Sequence, residues 1–213
     1  MKSKSMRTLT ALTLVAALTA GLSACVPIIM GGAVVGTALV ATDRRTSGAQ
    51  LEDEGIELRA SSRLREALGD RAHVNVTSFN RRVLISGEVP TDADKLLVEQ
   101  TVSRVENVRT VVNELSVLGN SSLGQRSNDA LITGKIKAGL VDSKDLFANA
   151  FKVTTERGTA YLMGRVTQRE ADRATEVART TSGVQKVVKV FEIISEDELR
   201  QLQPQPASDK SKG

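Results

Sequence analysis

The chain has 213 residues, with 29 Lys and Arg against 25 Asp and Glu, one His, one Cys, one Tyr, four Phe and no Trp. A lone histidine and a lone cysteine exclude a multi-histidine metal site and an internal disulfide. So few aromatic rings leave no stacking platform for single-stranded nucleic acid, and a formal charge of +4 is too small to argue for a polyanion partner.

Lys2, Lys4 and Arg7 precede an apolar run from Leu9 to Leu22, then small residues and Cys25, the parts of a bacterial export signal. The run falls short of the about 20 apolar residues that cross hydrocarbon. Leu22-Ser23-Ala24-Cys25 resembles the lipoprotein processing consensus at every position. That resemblance implies a signal peptide over residues 1–24, its removal, and a Cys25 carrying diacylglycerol and an acylated amino group. At about 0.8 kcal/mol per buried methylene, several such chains, palmitate among them, make a lasting anchor. Cleavage leaves 26 basic against 25 acidic residues, so no nucleic-acid partner is expected. It also leaves no free thiol for a metal or a nucleophile.

Val26 to Thr42 is almost uncharged and rich in Gly, Ala and Val. Its Gly32-x-x-x-Gly36 spacing would allow close helix contact in a membrane; the favoured reading is an apolar tether along the bilayer surface. Polar residues from Asp43 to Gln50 then lead away from the membrane, so residues 25–50 form the lipidated cysteine and its tether. Val26 follows the cysteine where an inner-membrane retention signal would place aspartate, which points to the outer membrane.

The rest contains a duplication. Val74-Asn75-Val76-Thr77 aligns with Phe151-Lys152-Val153-Thr154 and Val83–Val89 with Ala160–Val166, both at an offset of 77; Val108–Asn113 aligns with Val184–Lys189 at 76. Each copy reads as helix, strand, strand, helix, strand. Ala60, Leu64, Ala67 and Leu68 form the apolar stripe of the first helix, matched by Ile132, Ile136, Gly139 and Leu140. That match implies five extra residues in the second copy, around Ser143 to Phe147. Asn80-Arg81 and Arg157-Gly158 read as hairpin turns. Second helices start at Thr91 and Thr167, with Asp94 and Glu170 three residues on. Valine-rich strands close each copy, Val108 to Val117 and Val184 to Ile194. Gly87 and Gly164 recur near the end of the second strand, suiting a bulge or a close helix approach.

The expected fold is α+β: two tandem αββαβ units, each a small three-stranded mixed sheet with two helices on one face. The units occupy residues 51–118 and 127–195, joined by a linker over 119–126 that leaves their relative orientation free. Residues 196–213 read as a disordered tail after a short cap at Ser195-Glu196-Asp197-Glu198.

A lipobox, a Gly/Ala/Val tether and two such units, each with Val-x-Val-Thr, a hairpin and Gly-x-Val before a helix, together resemble the dual BON (OsmY and nodulation) domain lipoproteins of the outer membrane. Ser127-Asn128-Asp129 and Leu162-Met163-Gly164 add to the likeness. The resemblance implies a periplasm-facing envelope protein that maintains the outer membrane and touches phospholipid through its second domain.

The residues point to no enzyme. His73 opens a strand without a nucleophile signature, and no phosphate-binding glycine motif is present. No catalytic residue, metal ligand or cofactor is called for. Arg44-Arg45 and Arg81-Arg82 read as solvated pairs.

The copies differ on the first helix, where Leu131 replaces Arg59, with Lys135 and Lys137 beside it. With Lys144 and the loop pair Leu146-Phe147, these residues form the expected site for anionic phospholipid: leucine and phenylalanine insert, and each lysine adds about 1 kcal/mol near a charged surface. In the competing arrangement Leu146 and Phe147 fold into the core. A second functional reading is a scaffold for outer-membrane assembly proteins. Tyr161, Met163, Val188 and Val190 make the second sheet apolar on both sides, so either the first unit or a partner must cover it.

Overall fold

The computed structural model describes residues 43–202. The signal segment, Cys25, the tether to Thr42 and residues 203–213 lie outside the described residues. The first repeat runs α1 (Ser47–Leu68), β1 (His73–Phe79), β2 (Arg82–Val89), α2 (Asp92–Ser103), β3 (Thr110–Asn113) and β4 (Ser116–Val117). The second runs α3 (Leu123–Asp142), β5 (Phe151–Glu156), β6 (Thr159–Val166), α4 (Gln168–Thr180) and β7 (Lys186–Ile193), followed by α5 (Glu196–Leu202). β2 pairs antiparallel with β1 and parallel with β3 and β4; β6 stands the same way between β5 and β7. The mixed sheet with two helices on one face is therefore as expected. The last strand of the first repeat is split because Leu115 drops into the core between β3 and β4.

Both hairpins turn through two residues with positive φ, Asn80 at 51° and Arg81 at 65°, Arg157 at 47° and Gly158 at 72°. This is the turn whose twist matches paired strands, but three of the four residues have a Cβ that disfavours it. Buried aspartates offset that cost. Asp53 of α1 accepts the Asn80 and Arg81 amides at 2.7 and 2.8 Å, and Asp129 of α3 accepts those of Arg157 and Gly158 at 2.8 and 2.9 Å. Burial pushes the Asp53 carboxyl up, yet the Ser78 hydroxyl, the turn amides and Arg45 together hold it below the usual range.

These contacts reset the alignment of the repeats. Asp53 corresponds to Asp129, which pairs Ile56, Ala60 and Leu64 with Ile132, Ile136 and Leu140, all buried, at an offset of 76. The five-residue insertion expected in the second copy is therefore a single residue, and α1 runs two residues further than α3, to the buried Leu68. Ala67 is exposed rather than core. The periodicity misled because a 3.6-residue stripe repeats after every turn and cannot tell one turn from the next.

Thr91 and Thr167 cap α2 and α4, the latter as a complete capping box with Glu170; Asp94 is too short to reach back to the cap amide, as glutamate does in the box. Gly87 lies against the start of β1, and Gly164 against the short helical turn Ala148–Ala150 that leads into β5. A Cβ at Gly87, where φ is 111°, would stand 2.1 Å from the His73 carbonyl oxygen, and one at Gly164 2.5 Å from that of Ala150.

The two sheets pack face to face. Alternation along β2 and β6 sends Val83, Ile85, Leu162 and Val166 toward the helices, and Leu84, Tyr161 and Met163 toward the opposite sheet. There they meet Phe79, Val190, Val112 and Val188. Burial, then Glu114, pushes the Tyr161 hydroxyl up to about 12. The apolar back of the second sheet is covered by the first repeat.

Polar groups frame this seam. Lys152 reaches Glu57 at 2.6 Å, Asn80 donates to Glu192 at 2.7 Å, Arg157 donates to the buried Glu88 at 2.5 Å, and Asn75 donates to Glu156. The linker is bound in as well. The Gly119 carbonyl accepts from Arg157, the Ser121 amide donates to Glu88, and Ser122 caps α3. The orientation that a free linker would leave open is set by these contacts. Residues 196–202, read as the start of a tail, form α5 with Leu199 buried.

Two expected outcomes follow from the seam. Leu84→Ala should cost about 2–5 kcal/mol in urea unfolding, since it opens a cavity between the sheets. Burial first, and then the nearby Glu88 and Asp129, raises the Glu156 carboxyl against the pull of Asn75 and His73. Its protonated form thus favours the folded state, a contribution complete below the ordinary carboxylate range and lost as pH rises through the raised value. Glu156→Gln should melt above the parent at pH 7.5, with the gap closing toward pH 4; a constant gap would refute this assignment.

Candidate membrane-facing site

α3 starts with a capping box, in which the Ser122 hydroxyl accepts the Gln125 amide at 3.3 Å and the Gln125 side chain accepts the Ser122 amide at 2.8 Å. Ile132, Ile136 and Leu140 then face β5 and β6. The opposite face is open: Leu131 is 66% and Val141 69% exposed, with Gly134 and Ala138 between them and Lys135 and Lys137 alongside. In the corrected alignment Leu131 stands where α1 has Gly55, Lys137 where it has Ser61, and Val141 where it has Arg65. Lys135 matches Arg59, so that cation is common to both helices. The second repeat adds Leu131 and Val141 to this face, whereas α1 exposes Leu51 and Leu58 where α3 has Ser127 and Gly134.

The loop splits the expected inserting pair. Leu146 is 8% exposed and packs in the core, whereas Phe147 is 46% exposed. Phe147 is extended, with φ −97° and ψ 100°, and consecutive side chains of extended backbone point to opposite sides. Leu146 therefore leaves the expected site, and Leu131, Lys135, Lys137, Lys144 and Phe147 remain on the surface.

Two cations that the sequence did not single out stand beside the loop. Arg173 of α4 approaches Asp145 at 3.5 Å, and Arg169 donates to the Asp145 carbonyl at 3.5 Å. Their spacing of four residues on a helix was the available signal, but nothing placed that helix next to residues 143–147. A groove of about 500 Å³ lies at this end of α3, lined by Asp43, Gln50, Lys137, Leu140, Val141, Ala148, Asn149 and Phe151.

The two arginine pairs read as solvated differ from that expectation at Arg44-Arg45. Arg44 is 9% exposed and makes a bidentate pair with Glu170 at 2.6 and 2.8 Å. Arg45 bonds Asp43 and Asp53 at 2.8 Å and lies 4.3 Å above the Phe79 ring. Arg81 and Arg82 are half-buried. Among the described residues, no helix is long and apolar enough to span a membrane, and no group of three or more His, Cys, Asp or Glu could hold a metal ion.

The model of the BON domain matches residues 53–119 and again 128–195. The chain belongs to the BON-domain family. It is 37% identical over 175 residues to the outer membrane lipoprotein DolP of Haemophilus influenzae, covering 81% of this chain and 90% of that one. It is 34% identical over 154 residues to a 21 kDa hemolysin of Actinobacillus pleuropneumoniae, covering 71% and 79%. Among solved structures, CdsD, a structural protein of the type III secretion system of Chlamydia trachomatis, covers 68% of this chain at 14% identity and a TM-score of 0.28. So low a score has no bearing on how these BON domains are arranged.

The split of Leu146 from Phe147 is directly measurable. Leu146→Ala should destabilise the protein by about 2–5 kcal/mol, while Phe147→Ala should stay within about 0.5 kcal/mol of the parent in the same denaturant titration.

Proposed function

We propose that the protein is a lipoprotein anchored in the outer membrane through Cys25, facing the periplasm, and that its second BON domain binds anionic phospholipid and thereby helps maintain the membrane. The observation that carries this reading is the open face of α3, where Leu131, Val141 and Phe147 are exposed beside Lys135, Lys137 and Lys144. Apolar tips that enter the acyl boundary, ringed by ammonium groups at headgroup height, are the chemistry of interfacial binding. Arg169 and Arg173 extend the cationic rim, and Asp145 offsets part of it. The name of the Haemophilus relative, an outer membrane lipoprotein, supports the location, as does Leu22-Ser23-Ala24-Cys25.

A scaffold for envelope assembly proteins is the second reading. The back of the second sheet, which favoured it, is filled by the first BON domain. It now rests on the exposed Leu51, Leu58 and Leu96 of the first domain.

A soluble fragment of residues 43–202 should cosediment with vesicles containing anionic lipid and only weakly with neutral ones. Lys135→Glu should weaken that binding by at least roughly fivefold, from about 1 kcal/mol per cation, and Leu131→Glu should weaken it too. Equal binding to both kinds of vesicle, or binding to neither, would refute the lipid reading; capture of an envelope protein without lipid would favour the scaffold.

A further inference from the structure

We propose that Arg44 and Glu170 form a tether clamp, which fixes the point where the N-terminal anchor leaves the folded body and so determines that the α3 face of the second domain meets the bilayer. The proposal rests on the reading that Cys25 is lipidated and that α3 faces lipid.

Anchoring alone selects no face. Fully extended, Val26 to Thr42 spans up to ~60 Å, enough for a body of this size to turn over on its leash. The four residues before α1 fix where on the folded body that length of chain begins. Arg44 donates to both carboxylate oxygens of Glu170 at 2.6 and 2.8 Å and to the Arg165 carbonyl at 2.9 Å, all in the second domain. A bidentate guanidinium–carboxylate pair fixes orientation as well as distance. Burial pushes the Glu170 carboxyl up, but Arg44 and the Thr167 amide outweigh it and keep the carboxyl below its usual range. The next residue holds the first domain, with Arg45 on Asp53 and over Phe79. One dipeptide thus pins the entering chain to both BON domains.

The pinned position is next to the candidate lipid face. Asp43 lines the same groove as Lys137 and Val141, at the end of α3 where Lys144 and Phe147 are exposed. A chain pulled toward the membrane from Asp43 draws that end of α3 after it. A weak lipid site held this way acts at high effective concentration. The clamp also spends the acidic N3 residue of the α4 capping box on an arginine far away in sequence, a use that capping does not require.

The test uses the full lipidated chain in vesicles containing anionic lipid and brominated acyl chains. With Cys25 acylated, an introduced cysteine is the only free thiol, so a fluorophore can be attached through Ala138→Cys on α3 or Leu96→Cys on α2, both exposed. Bromine should quench the α3 probe at least about threefold more than the α2 probe. Arg44→Ala should lower that ratio at least about twofold. Because removing one partner strands a buried charge, Arg44→Ala/Glu170→Gln serves as the second variant and should give the same loss while melting as a folded protein. Gly-Ser pairs inserted between Thr42 and Asp43 lengthen the tether above the clamp and should leave the ratio intact. If the ratio survives both clamp variants, or disappears on lengthening, the clamp is refuted. If it survives both clamp variants but is lost in Leu131→Glu, the lipid face stands without the clamp; if the parent shows no contrast, both fall.

Discussion

The contact between the two sheets is the interaction on which the other features depend. Each BON domain has helices on one side of its sheet only, so the other side must be covered, and Leu84 and Phe79 meet Tyr161, Met163 and Val190 to do so. Neither sheet could present those residues to water without a loss of about 25 cal/mol per Å² of apolar surface. Once the backs are joined, all four packed helices face outward, and α3 is displayed with Leu131 and Val141 exposed. The seam also brings Arg157 to Glu88 and Lys152 to Glu57, and it holds the linker by Gly119 and Ser121. Arg44 can reach Glu170 only because the first helix of one domain starts beside the second helix of the other.

Duplication explains how the domains came to differ. The core residues and the aspartate that holds the hairpin turn are common to both, since the turn needs its amides satisfied in each copy. The outward helix faces carry no such duty. On α1 that face keeps Glu52, Arg59 and Arg65; on α3 the matching places hold Asn128, Lys135 and Val141. The first domain covers the back of the second, and the outward helix faces of the two have diverged to expose different groups.

Much of the fold was legible because its signals are local. Period-two alternation gave the hairpins, Thr167 with Glu170 gave a helix start, and the repeat itself gave two units of one fold. The register of the first helices was not legible, since a one-turn slip preserves an apolar stripe, and only the hydrogen bonds of Asp53 and Asp129 distinguish the alternatives. The candidate site was half legible. Leu131, Lys135 and Lys137 follow from helical spacing, whereas Leu146 and Phe147 are adjacent residues whose fates diverge with a backbone dihedral angle that composition does not encode.

The sequence by itself determined that there are two αββαβ units, where their helices and turns begin, and that residues 22–25 resemble a lipidation site, because each of these depends on residues close along the chain. Tertiary structure alone decided which sheet face is buried against which, which turn of α1 matches which turn of α3, and that Arg44 and Arg45 are held rather than solvated. Most of those outcomes depend on contacts between residues far apart along the chain, from Asp53 with Asn80 to Arg44 with Glu170, whose attraction exists only once the core has brought the partners within hydrogen-bonding distance.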